Sequence, residues 1–321
     1  MPASPQTTAT AAELRQDLGR VAYERMRGSG AEGHIGLQVL PLFESGISSA
    51  RFPIIPKDVG LKLVDDARAA DGSYNEIDWR FEMGAFSTED RGLTGRIDDR
   101  LRALYSSVIE VEQATADTVT DGVLLNLERR IAAKVEAGGA DANVTVPWST
   151  SATATPKGDV DTAKAAFRGR SGLLPNALAM SLTAFWAVVN TAEIKTALQY
   201  TSPIQMGGFE AQRQAVAAYF GIDQVLVAGA QKDSAQKGKA AVLADVWDAT
   251  KVHLLRVSAG SSNVLEPCFG RTILWTGGAP QILTVETYRD ETRRADIVRI
   301  RNDTEEFIQY VLAKYTLGEI T

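Results

Sequence analysis

Apolar residues recur at helical spacing over one long stretch, between residues 106 and 139. Acidic side chains crowd its first half and basic side chains its second half, which suits the dipole of a single helix. Gly138 and Gly139 supply a stop, so the pattern predicts a helix of about 28 residues, roughly 40 Å long. Gly122 in the middle allows a break. The apolar positions are Val108, Val111, Val119, Val123, Leu127, Ile131 and Val135.

A different period, of two residues, appears before this helix. The stretch from Glu76 to Met83 alternates apolar and charged residues, which is typical of a β-strand with one solvent-exposed face. With an earlier extended run and a turn rich in Asp, Gly, Ser and Asn, it predicts a hairpin over residues 57–92. Such a hairpin is marginal in water by itself, so its apolar face needs a partner in its own domain or on another chain. That face carries Ile77, Trp79, Phe81 and Met83.

Helices and strands alternate in the second half of the chain. The runs NALAMSL, QVLVAGA and RTILW predict strands between helices, and the last forty or so residues predict two or three more strands. Residues 1–50 read instead as a loose arm with one short helix, which cannot bury much surface alone. The whole pattern predicts an α+β protein.

Composition and charge argue against some classes of function. The 321 residues are 45% hydrophobic and 23% charged, with a net charge of −6. These values are ordinary for a globular protein, and the acidic balance argues against a protein that depends on phosphate contacts. No apolar run approaches the length of a membrane span, so we expect no membrane partner.

The side chains that carry most enzyme chemistry are sparse. His34 and His253 have no second Cys or His at metal-ligand spacing. Cys268 sits among apolar neighbours, as buried cysteines do. Gly238 and Lys239 lack the other residues of a phosphate-binding loop. We therefore predict a protein that is not an enzyme, with no catalytic residues, no cofactor and no metal.

One arginine-rich stretch, YRDETRRADIVRIRND, needs a separate interpretation. Between residues 289 and 303 it holds five arginines but also four acids, which a phosphate-binding patch would not interleave. Arginine beside carboxylate favours bidentate ion pairs, formed either within the sheet or across subunit boundaries. We therefore predict a charge-complementary interface that includes Arg293, Arg294, Asp296, Arg299 and Arg301.

Seven phrases in a fixed order carry a family resemblance from about residue 40 to the end. They are RID with DDR, EVEQATADTVTDGVLLNLERRIAAKV, LLPNALAMSLTAFWAVVNTAEIKTALQYT, AAYFGIDQVLVAGA, VWDATKVHLL, EPCFGRTILWTG and ETYRDETRRADIVRIRND. In these phrases the chain resembles the major capsid proteins of tailed double-stranded DNA bacteriophages, which share the Hong Kong 97-type fold.

The resemblance implies an N-terminal arm, an E-loop hairpin, a peripheral domain with a long spine helix, and an α/β axial domain. The implied ranges are 1–39 for the arm, 57–92 for the E-loop, 40–56, 93–170 and 280–309 for the peripheral domain, and 171–279 and 310–321 for the axial domain.

The resemblance also implies a function, namely self-assembly into hexamers and pentamers of an icosahedral shell around packaged double-stranded DNA. The DNA would be contacted non-specifically, and the shell would form in the cytoplasm of a bacterial host and become the virion capsid. The implied partners are further copies of the chain, a portal, possible decoration proteins and a scaffolding protein. A separate scaffolding protein is expected because the region before residue 40 is short.

Two other functions fit parts of the pattern. An encapsulin-type nanocompartment would use the same fold, hold a cargo enzyme in a docking groove and form small shells without DNA. A soluble α/β enzyme built on residues 171–279 is the remote alternative, and it would be a small oligomer with a defined pocket.

The hairpin's apolar face gives the first testable prediction. Trp79→Asp combined with Phe81→Asp should leave a folded subunit that forms no shells, because carboxylates would replace the apolar side chains that a neighbouring copy covers. Electron microscopy and sedimentation measure shell formation, and circular dichroism checks the fold. Asp78→Asn with Arg80→Gln, on the opposite face of the alternation, is the matched control. Normal shells from the first variant would contradict the assignment.

Overall fold

The computed structural model describes residues 13–29, 33–54, 61, 63–68, 72–77, 80, 82–105, 110–201, 208–236, 238–260 and 266–321. The helices in these residues are α1 Gln16–Ser29, α2 Gly36–Val39, α3 Asp99–Tyr105, α4 Val111–Glu136, α5 Pro156–Ser171, α6 Leu182–Asn190, α7 Ala192–Thr201 and α8 Phe209–Phe220. The strands are β1 Glu13–Leu14, β2 Leu42–Ser45, β3 Ser49–Ile54, β4 Glu82–Ser87, β5 Glu89–Asp98, β6 Ala142–Asn143, β7 Ala177–Ser181, β8 Gln224–Ala228, β9 Gln231–Asp233, β10 Leu243–Asp245, β11 Val252–Leu255, β12 Gly270–Trp275, β13 Thr284–Asp290, β14 Ala295–Ile308 and β15 Lys314–Gly318.

The long helix α4 confirms the strongest pattern in the sequence. It runs without interruption for 26 residues, and the apolar positions Val119, Val123, Leu127, Ile131 and Val135 are all buried. The helix does not break at Gly122. A Cβ added there would lie 2.9 Å from Cδ1 of Leu93 on β5, so the glycine allows a strand to pass close to the helix.

Among the described residues, the first sheet has six strands and is organised around the 14-residue strand β14. β5 pairs with residues 295–304 of β14, while β13 and β12 pair with successive stretches of it, all antiparallel. β2 extends the sheet beyond β12, and β1 pairs with β13. Helix α4 packs on β14 and β5. At this contact the Arg130 guanidinium donates to the buried carboxylate of Glu306 at 3.0 Å.

The second sheet has five strands in the order β6-β15-β11-β7-β8. The run NALAMSL forms the predicted strand, β7, which is buried along its whole length. The pairing does not follow the domain ranges implied by the family resemblance. β12 lies within residues 171–279 yet pairs in the first sheet, and β6 lies within residues 93–170 yet pairs in the second. One continuous apolar core joins the two sheets.

The N-terminal helix is docked rather than loose, contrary to the expectation from its composition. Leu18 and Ala22 of α1 are buried against the core that contains α4. The Arg25 guanidinium binds both oxygens of Asp121 on α4, at 2.9 and 3.0 Å. The reason is tertiary: α1 has little apolar surface of its own, and α4 supplies both an apolar face and opposite charges.

In the part of the hairpin that the structure describes, the backbone ladder lies at the base. β3 and β4 pair antiparallel from Ser49 and Ser87 to Ile54 and Glu82. The prediction placed a strand from Glu76, but the described residues 72–77 have no regular secondary structure, and β4 begins at Glu82. A strand needs a neighbouring backbone for its hydrogen bonds, and no pairing partner is seen for residues 72–77 among the described residues.

The described residues beyond the ladder still form a reversal. The Asn75 side-chain amide donates to the carbonyl of Asp65 at 2.8 Å. The Arg68 guanidinium donates to the carbonyl of Gly72 at 2.6 Å and lies over the ring of Tyr74. Side chains, rather than a backbone ladder, therefore hold the two runs of the hairpin side by side.

The helix–sheet contact gives a stability prediction. In Gly95→Ala, the new Cβ would lie 2.3 Å from Cγ2 of Thr115 and 2.8 Å from Cγ2 of Val119. We expect the free energy of unfolding of the chain to fall by about 1–3 kcal/mol, because overpacked sites are destabilised by this amount. The control is Gly19→Ala in α1, where no atom lies within 4 Å and about 0.5–1 kcal/mol should be gained. Denaturant unfolding measures the free energy of unfolding of both variants. An equal change in the two variants would contradict the close packing of Gly95 against α4.

Candidate assembly surface

The turn between β13 and β14 projects two arginines into solvent. Residues 291–294 form this turn, and Arg294 has a φ of +47°, which is uncommon for a residue with a Cβ. The carbonyl of Arg294 accepts a hydrogen bond from the amide of Asp99 at 3.2 Å, so the turn lies against the start of α3. The Arg293 side chain is 64% exposed, and its Nε lies 3.6 Å from Asp290. Both arginines are therefore accessible to a partner.

Asp296 belongs to an ion-pair cluster inside the chain. Arg289 binds Asp99 through two hydrogen bonds of 2.6 and 2.7 Å, and it reaches Asp296 at 3.1 Å. Arg102 of α3 binds the other oxygen of Asp296 at 2.5 Å. The hydrogen bonds from Arg289 hold the pKa of Asp99 below its usual value. This cluster fastens α3 to the β13–β14 hairpin.

Arg299 and Arg301 share one carboxylate on the neighbouring strand. Glu286 lies directly opposite Arg299 in the β13–β14 register, and it accepts hydrogen bonds from Arg299 and, at 3.0 Å, from Arg301. Burial by itself would raise the pKa of Glu286, but these two arginines outweigh it and hold the pKa below its ordinary value. Arg299 and Arg301 are therefore both already bound to Glu286 within one chain.

The apolar face of the hairpin is uncovered where the structure describes it. Ile77 is 61% exposed and Met83 is 64% exposed. Trp79 and Phe81 lie outside the described residues. Residues 63–68 and 73–77 are exposed throughout. A single chain therefore leaves this apolar surface in water, which is costly for large side chains.

Helix α3 is a second uncovered apolar element, and the sequence interpretation missed it. None of its seven residues is buried, and its exposed apolar residues are Leu101, Leu104 and Tyr105. Their spacing of three and four places them on one side of the helix. The same spacing is typical of a helix that faces its own core, so the pattern alone carries no signal that this face is free.

The buried titratable groups form structural contacts. Burial lowers the pKa of His253 to about 3, and its Nδ1 lies 3.0 Å from Oγ1 of Thr316. Burial raises the pKa of the Cys268 thiol. Within the described residues, no group of three or more His, Cys, Asp or Glu side chains could hold a metal ion. None of the described helices is both long and apolar enough to cross a membrane.

Glu128 of α4 joins three parts of the chain. Its carboxylate, which is 3% exposed, accepts hydrogen bonds from the amides of Ile35 at 3.1 Å and Gly36 at 2.8 Å, and from the indole of Trp247 at 2.7 Å. Burial raises the pKa of Glu128, and the three N–H donors oppose that rise. The arm, the long helix and the region of the second sheet therefore meet at one carboxylate.

A cleft of about 710 Å³ separates α1 from the edge of the first sheet. Tyr23 and Met26 of α1 form one wall, and Leu42 of β2 with residues 280–285 forms the other. Tyr23 and Leu42 are partly exposed in it. The cleft is large enough to accept a side chain or a short extended peptide.

The shared carboxylate gives a prediction about charge and pH. Glu286→Gln should lower the free energy of unfolding of the chain by about 2–3 kcal/mol near pH 7, because the charge-assisted hydrogen bonds from two arginines weaken. The pKa of Glu286 is lower in the folded chain, so its contribution is full above the unfolded pKa of about 4.3 and is lost as pH falls through the folded pKa. The difference between wild type and variant should therefore be constant above about pH 5 and should narrow as pH falls below about 4.3.

Glu291→Gln is the matched control for this experiment. Glu291 is 59% exposed and pairs with Arg289 at 3.2 Å, so its loss should change the free energy of unfolding by about 0–1 kcal/mol. Denaturant unfolding at several pH values measures both variants. Equal losses, or a difference that does not depend on pH, would show that Glu286 does not anchor the two arginines.

Comparison with known proteins identifies the fold. No protein-family model and no curated protein sequence matches this chain. A phage-related protein from Bordetella bronchiseptica RB50 is similar in structure, with a TM-score of 0.69 and 21% identity over 97% of this chain and 99% of that one.

Two solved structures of shell proteins are also similar to this chain. The putative capsid protein of a prophage of E. coli CFT073 has a TM-score of 0.54 and 11% identity over 97% of this chain and 100% of that one. An encapsulin complex from Synechococcus elongatus PCC 7942 has a TM-score of 0.51 and 13% identity over 89% of this chain and 87% of that one. The predicted α+β class and capsid fold are confirmed: this chain has the fold of phage capsid and encapsulin shell proteins.

Proposed function

We propose that this chain is the major capsid protein of a tailed double-stranded DNA phage and assembles into the hexamers and pentamers of an icosahedral shell. The observation that carries the proposal is a shell-protein fold whose hairpin leaves large apolar side chains in water. A monomeric protein rarely exposes a large apolar patch, whereas a protein that assembles buries such a patch against another copy.

The geometry suggests how assembly is driven. The hairpin of one copy lies across a neighbouring copy, which buries Ile77, Trp79, Phe81 and Met83. This contact joins two different surfaces, and repeating such a contact generates closed rings when the rotation permits. Because each copy makes several contacts in a closed shell, individually modest interfaces suffice. The role is structural and includes no catalytic step.

The remaining partners follow from the same role. The net charge of −6 suits a wall that contacts packaged DNA non-specifically and does not clamp it, since like charges repel. A scaffolding protein would set the shell's size, a portal would admit the DNA, and a decoration protein could bind the outside. The shell would assemble in the cytoplasm of the bacterial host and become the virion capsid.

An encapsulin-type nanocompartment is the alternative, and the cleft beside α1 is the observation that favours it. A cargo shell needs a groove that captures a peptide of the cargo, and a cleft of about 710 Å³ lies between an arm helix and a sheet edge. Its walls contain partly exposed apolar residues, including Tyr23 and Leu42, which an extended apolar peptide would cover.

Expression of the full chain in bacteria, with and without a scaffolding protein, tests the proposal. Sedimentation and negative-stain electron microscopy should show rings or megadalton shells, and not a species of 34.6 kDa. Large shells that depend on the scaffolding protein support the phage function. Small shells that form alone and retain a cargo enzyme support the encapsulin function. A monomer under all these conditions would contradict both.

A further inference from the structure

An apolar surface lies at one end of the second sheet, where the segments that enter β7 and β15 come together. β11 pairs with both of these strands, and Arg256 follows β11. The amide of Arg256 donates to the carbonyl of Ala313 at 3.1 Å, and its guanidinium donates to the carbonyl of Leu174 at 3.5 Å. The large exposed side chains here, named the sheet-end patch, are Leu174, Val311 and Leu312.

A leucine of the hairpin contacts the border of this patch. Gly172, two residues before Leu174, ends helix α5 with a φ of +68°, a conformation that glycine adopts readily. Because Gly172 has no side chain, Leu61 can lie directly over its backbone. A Cβ added to Gly172 would be only 2.7 Å from Cδ1 of Leu61. Leu61 is still 63% exposed, so one side of it touches the body of the chain and the other faces solvent.

A second contact holds the same run of the hairpin closer to its base. Ile54, the last residue of β3, packs against the cluster that contains Phe307 of β14. The chain continues from β14 through residues 309–313 into β15. Ile54 and Leu61 therefore contact the body on either side of the connection between the two sheets. Both contacts are made within one chain, so the first run of the hairpin starts along its own subunit.

We propose that Leu61 is an intramolecular latch, which holds the hairpin of the unassembled chain against Gly172 and must be released before the hairpin reaches a neighbouring copy. This inference rests on the proposed shell function and adds a regulatory step to it. The sheet-end patch supplies apolar surface beside the contact, which favours the latched position over water. A single, partly exposed leucine makes a weak contact, so a larger interface with another copy can displace it. Until then the latch lowers the fraction of chains that are competent to assemble.

Leu61→Cys with Gly172→Cys tests whether the contact forms within one chain. The Cγ of Leu61, where a cysteine sulfur would lie, is 3.8 Å from a Cβ added to Gly172, so a small shift brings the two sulfur atoms together. Mild oxidation of the unassembled chain should give a monomer that migrates faster on a non-reducing gel. The native Cys268 is buried and should not contribute. Leu63→Cys with Gly172→Cys is the matched control, because Leu63 is completely exposed.

The same disulfide tests whether release is required for assembly. The oxidised Leu61→Cys, Gly172→Cys chain should show an assembled fraction about tenfold below that of the same chain after reduction, because the disulfide removes the competent state. Sedimentation measures the assembled fraction, and addition of a reductant to the oxidised sample should restore it. The reduced chain carries the same two substitutions, so it controls for their effect on the fold.

Removal of the latch should have the opposite effect. Leu61→Ser should raise the initial rate of assembly about threefold, since a larger fraction of the chains then has a free hairpin. Light scattering measures this rate. Leu63→Ser removes a completely exposed leucine from the same part of the hairpin, so it should not raise the rate.

The outcomes separate the latch from the shell function. Covalent oligomers in place of the fast monomer would show that Leu61 contacts another copy, and an oxidised chain that assembles normally would show that the contact persists in the shell. Either result overturns the latch and leaves the shell function standing, and so does a Leu61→Ser chain that assembles no faster than wild type. A wild-type chain that never assembles overturns the shell function, and the latch then fails as a regulator even if the intramolecular disulfide forms.

Discussion

The buried carboxylate of Glu128 is the interaction on which the rest of this fold depends. It accepts hydrogen bonds from Ile35 and Gly36 of the arm and from Trp247 near the second sheet. A buried carboxylate without such donors is strongly destabilising, so these segments must meet on the long helix. Lys314 adds a second link, because its ammonium group donates to the last carbonyls of the same helix.

The body that forms around the long helix satisfies most of its own charges. Arg299 and Arg301 are engaged by Glu286, and Arg289 is engaged by Asp99 and Asp296. Large apolar side chains are nevertheless left exposed on the hairpin, at Ile77 and Met83, and on α3, at Leu104. Under the proposed shell function, these side chains gain free energy when another copy covers them.

The regular elements could be predicted because their patterns are local. The apolar patterns of helix α4 and strand β7 can be recognised in the sequence without knowing which elements they pack against. The strand expected from Glu76 is not seen at the described residues 76 and 77, since an alternating pattern describes a face but does not supply a backbone partner. Helix α3 was missed for a related reason: a spacing of three and four residues is the same whether the apolar side faces a core or solvent.

The sequence by itself determined much of the secondary-structure pattern and the lack of recognisable catalytic motifs, and it predicted that the arginines of residues 289–301 pair with carboxylates. It also carried the order of elements that resembles capsid proteins. Only the tertiary structure decided which carboxylates Arg289, Arg299 and Arg301 meet. Glu286 lies opposite Arg299 because of the register between β13 and β14, and Asp99 meets Arg289 from 190 residues away in the chain. Such pairings depend on how distant segments pack, and no local pattern of residues records that packing.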